Sequence, residues 1–300
     1  MAKTRIASWS EVDTARQCLY KHGLGYQERW VGGEESLALA RGTLYHGCME
    51  ILYNLLMQRQ AAEKAGEPCM TDEQLLGEAR LRCLQYLTDN ARNSEEVDLL
   101  MWMFDGHVEL YGTDEQWKIL AVELNREVWL PTPNGTRSSF KAKMKIDLVV
   151  KDKLLGGIWI VDHKSGKDLP KKKELDMSDQ FGLYEFGLRQ LGHQIRGTIY
   201  SAARTQRNKD QSRHPQPLVE RFSRIRMPRT DRELQEIAVE AYRTLRIAYS
   251  MPPEDLPRSP NPDTCKWKCD FTEACLAIRK GAERPVTLRG FGFKQDFTRH

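Results

Sequence analysis

The sequence predicts a mixed α/β fold, an α+β arrangement in which a helical region precedes a mixed sheet. Three observations carry this expectation. Apolar residues recur at helical spacing through the first 115 positions, alternating segments separated by turn signals follow to about residue 161, and helix-like and strand-like patterns then alternate to residue 250. With 300 residues, 40% hydrophobic and 29% charged, the chain can bury a core. That excludes wholesale disorder and collagen-like architectures.

Ser10 to His22 reads as a short helix carrying Cys18. Gly42 to Gln60 reads as a longer one, with Leu44, Cys48, Ile51, Leu52 and Leu55 on one face. Thr71-Asp72-Glu73-Gln74 has the form of a capping box, followed by the stripe Leu75, Leu76, Ala79, Cys83, Tyr86 and Leu87. A further helix covers Glu95 to Leu110, so the first 115 residues read as wholly helical. Lys118 to Leu130 then alternates, Pro131 to Gly135 is a turn, and Phe140 to Lys151 is a second strand. After Gly156-Gly157, Ile158 to Val161 is a third, which makes an antiparallel meander. Ser178 to Leu191 reads as a helix, Ile195 to Ala203 and Val219 to Met227 as strands, Arg207 to Pro217 as a basic loop, and Thr230 to Ser250 as an amphipathic helix.

The longest apolar runs, such as Leu99 to Phe104, are too short to cross a bilayer, and the first eight residues have no apolar signal core. A cytoplasmic location with no membrane partner is the expectation. The net charge is only +4, but its distribution is uneven. Glu63 to Glu115 carries a net −9, and Arg196 to Arg229 carries nine basic and two acidic residues, as a surface for a polyanion such as nucleic acid would.

Asp147 follows the alternating segment Lys143 to Ile146, and the next strand runs into Val161-Asp162-His163-Lys164. Residues two apart on a strand share a face, so Asp162 and Lys164 point together. In a hairpin Asp147 falls beside Asp162. Two carboxylates can hold a hard divalent cation through oxygen, and a lysine ammonium beside them can orient a water; that combination suits metal-assisted phosphodiester hydrolysis. The alternative is ordinary charge at strand ends. Glu123 and Glu127 alternate on the preceding strand, where Glu123 could add a carboxylate near the metal or be surface charge.

Seven cysteines, an odd number, argue against a disulfide framework. Cys265, Cys269 and Cys275 are spaced C-x3-C-x5-C, close enough to share a soft metal centre. Four sulfurs would complete either tetrahedral zinc or a [4Fe–4S] cluster, so a distant fourth ligand is wanted. Cys48, Cys69 and Cys83 read as small buried hydrophobes on helix faces. Trp267 and Phe271 could stack on bases or pack around the cysteine centre.

Taken in order, these segments resemble the PD-(D/E)XK nuclease superfamily. The resemblance is to its RecB-like branch, which includes the CRISPR-associated iron–sulfur exonucleases and phage-encoded relatives. Gly42-Thr43-Leu44-Tyr45-His46-Gly47 is similar to the family's helix motif, whose histidine ligates the active-site metal. Lys143 to Val150 resembles the strand of the first carboxylate, Ile158 to Gly166 the Asp-X-Lys strand, and Asp179 to Tyr184 the following Gln-x-x-x-Tyr helix. Met144 stands where the family usually has glycine, and Asp162-His163-Lys164 where it has Asp-Tyr-Lys. The family also places a lone cysteine near the N-terminus, a position occupied here by Cys18, and more usually spaces its first two clustered cysteines C-x2-C.

The resemblance implies a restriction-endonuclease-like nuclease core and a Mg2+- or Mn2+-dependent DNA exonuclease, acting on single-stranded DNA or DNA ends. His46, Asp147 and Asp162 would hold the metal, and Lys164 would orient the attacking water. Gln180 and Tyr184 would contact the DNA backbone or position Lys164. Cys18, Cys265, Cys269 and Cys275 would hold a structural [4Fe–4S] cluster joining the two termini. The alternative is a non-catalytic nucleic-acid-binding or DNA-end-processing partner on the same scaffold, with zinc in place of the cluster. The expected divisions are residues 1–37 with the first cysteine, 38–115 with the histidine helix, 116–250 as nuclease core, and 251–300 as cysteine segment and basic tail.

Overall fold

The computed structural model describes residues 4–32, 36–208 and 215–298. In chain order it opens with strand β1 (Arg5–Ser8), helix α1 (Trp9–Gln17), the single turn α2 (Leu19–His22) and strand β2 (Trp30–Val31). Three long helices follow: α3 (Leu37–Ala65), α4 (Asp72–Asn90) and α5 (Ser94–Tyr111). Then come β3 (Trp117–Pro131), β4 (Arg137–Asp152), β5 (Ile158–Gly166), α6 (Lys172–Asp176), α7 (Asp179–Gln190), β6 (Ile195–Arg204), α8 (Leu218–Arg221), β7 (Phe222–Met227) and α9 (Asp231–Ala248). The chain closes with α10 (Pro262–Lys268), α11 (Thr272–Arg279), α12 (Arg284–Gly290) and β8 (Lys294–Gln295). Among the described residues, no helix is long and apolar enough to cross a membrane.

The chain forms two compact units, one of residues 1–35, 127–143 and 235–300, the other of residues 36–126 and 144–234. In the second unit the meander is real. β3 pairs with β4, and β4 pairs antiparallel with β5 from Leu148↔Val161 to Lys151↔Ile158. The chain then crosses over through α7, so β6 runs parallel to β5, and β7 returns antiparallel to β6. The mixed α/β class expected from the sequence is what forms.

Helices α3, α4 and α5 share the core of this unit with the sheet. Leu52, Leu56, Leu75, Leu87, Leu100 and Phe104 pack with Leu148, Val150, Val161 and Ile199. Ser36, Thr71 and Asn93 cap the three helices, and Thr71 and Gln74 form the full capping box. Gly47 lets α4 come close: a Cβ there would sit 2.5 Å from the ring of Tyr86. Cys48 and Cys83 are buried here, as expected, but Cys69 is exposed. It lies in the connector after Gly66, whose left-handed conformation (φ 72°) ends α3, so no helix face is available to bury it.

In the first unit the wholly helical expectation fails. β1 pairs parallel with β4 over Arg5↔Phe140 to Ser8↔Lys143, and β2 pairs antiparallel with β8. Both strands are short segments whose partners lie far along the chain, which local periodicity does not report. The expected helix over Ser10 to His22 also breaks, because Cys18 is extended (φ −162°, ψ 115°) between α1 and α2. Residues 209–214, within the expected basic loop, lie outside the described residues.

Candidate metal centre and cysteine cavity

Extending the β4–β5 register by one pair sets Asp147 opposite Asp162, since Leu148 faces Val161. Beyond that point the side chains take over. The backbone N–H of His163 donates to Asp147 Oδ2 at 2.8 Å, and His46 Nδ1 lies 3.2 Å from the same oxygen. His46 reaches it from α3, whose neighbouring residues Tyr45, Cys48 and Met49 are buried in the core. Lys164 Nζ is 2.7 Å from Asp162 Oδ2, so the two-residue spacing does place both on one face.

Burial sets the electrostatics. Asp162 is 2% exposed, and burial, reinforced by the charge of Asp147, pushes its pKa up to about 6 despite Lys164. Asp147 is also buried, but the hydrogen bond and charge of His46 outweigh that cost and hold it at about 2. Burial likewise works against charge on His46 and Lys164. Their carboxylate partners prevail and raise both pKa values.

The side chain of His163 points the other way. It is 1% exposed and stacks on Tyr53, with ring centroids 5.2 Å apart, and burial drives its pKa well below the usual histidine value. Tyr53 donates to Asp114 at 2.7 Å, and Arg224 grips the same carboxylate while lying 3.5 Å over the Tyr111 ring. The middle residue of Asp162-His163-Lys164 is therefore a core side chain, and its replacement of tyrosine leaves both flanking charged groups in place.

The sequence reading undervalued one carboxylate. His46, Glu123 and Asp147 each bring a ligand atom within 4.8 Å of the others. Glu123 has φ 50°, a left-handed conformation unusual for glutamate in a strand, and the burial alternation of β3 breaks down around it. Such an irregularity re-aims a side chain. Lys145 pairs with Glu123 at 2.6 Å. No residue-type pattern signals the kink. One imidazole nitrogen with carboxylate oxygens is a hard donor set suited to Mg2+ or Mn2+, so these residues fit the divalent cation that the resemblance implies.

Gln180 and Tyr184 share a face of α7, with Gln180 Nε2 donating to the Tyr184 hydroxyl at 3.2 Å. Burial raises the Tyr184 pKa, and the charges of Asp162, Lys164 and Asp147 act on it. The buried Glu185 fixes α7 against the sheet by accepting from Thr198 at 2.8 Å and Arg229 at 3.0 Å. Tyr200, opposite Asp162 in the β5–β6 register, also feels Asp162 and Lys164. It was not anticipated, because the pairing partner of Asp162 on β6 depends on a crossover.

The basic segment Arg196 to Arg229 proves partly internal. Arg221 donates to the Trp102 carbonyl, Arg224 to Asp114, Arg226 to Asp152 and Arg229 to Glu185. These guanidiniums tie the fold together, and Arg196 and Arg207 remain exposed.

In the other unit, Cys18, Cys265, Cys269 and Cys275 all line one cavity of about 80 Å³. Cys18, Cys269 and Cys275 pack against a small core of Tyr20, Leu24, Trp30, Phe271, Ala274, Leu288 and Phe293. Phe271 stacks on Phe293 at 4.6 Å, so it belongs to the packing around the cysteines. The side chain of Trp267 lies outside the described residues. All four thiols are free, and a soft, sulfur-ligated centre fits this lining.

No curated protein matches the chain in sequence. Among solved structures, a candidate exonuclease from Eubacterium rectale is similar over 88% of each chain, with 16% identity and a TM-score of 0.46. The protein SSO0001 is similar over 75% of this chain and 96% of its own, with 13% identity and a TM-score of 0.35. The sequence model of the PD-(D/E)XK nuclease superfamily matches residues 6–276, a span that takes in the helix of His46, both aspartates, Lys164 and all four cavity cysteines. The chain belongs to the PD-(D/E)XK nuclease superfamily.

Proposed function

We propose that this nuclease is a cytoplasmic DNA exonuclease of the RecB-like branch, that it degrades single-stranded DNA from an end, and that it needs Mg2+ or Mn2+. The observation that carries the reading is the meeting of His46, Glu123 and Asp147 within 4.8 Å, with Asp162 and Lys164 paired alongside. His46, Asp147 and Asp162, joined by Glu123, would hold the cation; when bound, it supplies Lewis acidity to the phosphate and acidifies a coordinated water.

The protein's own groups do the rest. Asp162 keeps Lys164 protonated, so its ammonium donates: it orients the water and counters charge developing on the phosphoryl oxygens. The N–H of His163 fixes the orientation of Asp147. Gln180 and Tyr184 lie on the α7 face beside Lys164, suited to a backbone phosphate or to holding Lys164 in place. In this reading residues 116–250 supply the nuclease core, and residues 38–115 add the helix that carries His46.

The same reading assigns a structural [4Fe–4S] cluster to Cys18, Cys265, Cys269 and Cys275. What supports the reading is that all four cysteines line one cavity, the number of sulfurs that a cluster of this kind takes. Closure of α2 onto α11 through the cysteines would add to stability.

Timed digestion of DNA labelled at either end tests the function. With Mn2+ the wild-type protein should shorten single strands from one terminus, EDTA should stop it, and Asp162→Ala should be inert while still folded. Internal cuts from the first time point would contradict an exonuclease, and undiminished cleavage by Asp162→Ala would move the active site elsewhere.

A further inference from the structure

The cysteine cavity is unbalanced in its hydrogen bonding. Tyr20 lines it, is 2% exposed, and has a buried hydroxyl with no hydrogen-bond partner. Arg258 lines it too, with its guanidinium 3.9 Å over the Tyr20 ring and its Nε also buried and unpaired. Among the described residues, Lys21 and Arg279 complete a cationic lining of this cavity, while Asp270 and Glu273 line the adjoining pocket that shares Cys265 and Cys269. The Thr272 hydroxyl, a further donor in the lining, is already committed to the carbonyls of Cys265 and Cys269. Buried donors without acceptors are rare in folded proteins and call for an explanation. Here the lining leaves two, in one cavity, next to four thiols.

We infer that Tyr20 and Arg258 donate hydrogen bonds to the sulfur atoms of the centre that the four cysteines hold, with Lys21 and Arg279 offsetting its negative charge. This rests on the cluster reading above. Thiolate and sulfide sulfurs accept hydrogen bonds, and each donor or cation near them favours the more negative, reduced state. The pair therefore tunes the reduction potential upward, beyond any contribution to packing. Filling the cavity with a tyrosine ring would need no hydroxyl, and that hydroxyl is the observation that bears most directly on the sulfurs.

The test uses the full chain purified without oxygen, with iron per chain, visible absorption and reduction midpoint measured on each preparation. Tyr20→Phe and Arg258→Met should keep wild-type iron and colour. Each should shift the midpoint to more negative potential, the double variant further still, and Arg258→Lys should recover part of the shift. Unmoved midpoints with full iron content would overturn the inference and leave the cluster standing. A colourless wild-type protein carrying zinc would sink the cluster reading itself, and this inference with it. Should Tyr20→Phe fail to retain iron, the Arg258→Met midpoint decides.

Discussion

At the carboxylate site each charged group faces an opposite charge, whereas the cysteine cavity contains buried donors that face no acceptor among the described residues. His46 pairs with Asp147, Lys164 with Asp162 and Lys145 with Glu123. Around the cysteines, the Tyr20 hydroxyl and the Arg258 Nε are buried and unpaired. In the first arrangement the protein's own charges offset one another. On the proposed reading, the second meets its hydrogen-bonding requirement once the cysteines hold their centre. Hard, exchangeable cations suit the first kind of site, and a resident soft centre suits the second.

The sharpest way to break this contrast is Lys164→Ala. Removing a positioned cation from a site of this kind costs about 10²–10³ in turnover, and DNA binding should survive. A steady-state digestion assay beside a binding measurement would show it; equal losses in both would make Lys164 a binding residue. Next in size, Cys265→Ser should drop the iron content from about four per chain and lower the melting temperature. Mn2+ affinity at the other site should not change. A variant that loses iron but melts as wild type would deny the centre its structural role.

Glu123→Gln probes the carboxylate that the chain kinks to present. Its Mn2+ dissociation constant should rise by at least the roughly 10–100-fold that loss of an outer-sphere partner costs. Titration calorimetry that finds no change would return Glu123 to surface charge. A smaller effect concerns pH. The folded-state pKa of Asp162 is raised to about 6, so its proton favours the metal-free fold at low pH, and that contribution fades as pH rises through about 6. Because the cation needs the ionised carboxylate, Mn2+ affinity should fall below about pH 6, by roughly tenfold per unit. Asp162→Asn should flatten that slope. The smallest expected effect is that of Gly47→Ala, which drives a Cβ into Tyr86 and should cost about 1–3 kcal/mol of stability. Mn2+ affinity that follows this loss would mean that α3 packing positions His46.

Both sites were partly readable from residue order. Asp147, Asp162 and Lys164 obey the period of a strand, and a hairpin register needs only a short turn, so local rules suffice to bring them together. His46 lies about a hundred residues earlier, and only the resemblance connected it to them. The Glu123 carboxylate depends on a backbone kink that no residue type announces. The basic segment misled for a related reason. Whether Arg224 faces solvent or Asp114 is decided by the turn between α5 and β3, 110 residues earlier in the chain. Cys18 read as mid-helix because its neighbours favour helix; its extended conformation belongs to the packing of the cysteine unit.

The central claim is that one divalent cation binds where α3, β3, β4 and β5 present their charged side chains. Crystals soaked in Mn2+ and measured at the manganese absorption edge test it directly. The account predicts one dominant anomalous peak within coordinating distance of His46 and the carboxylates of Glu123, Asp147 and Asp162. A dominant peak elsewhere, with those side chains still paired as they are here, would contradict it.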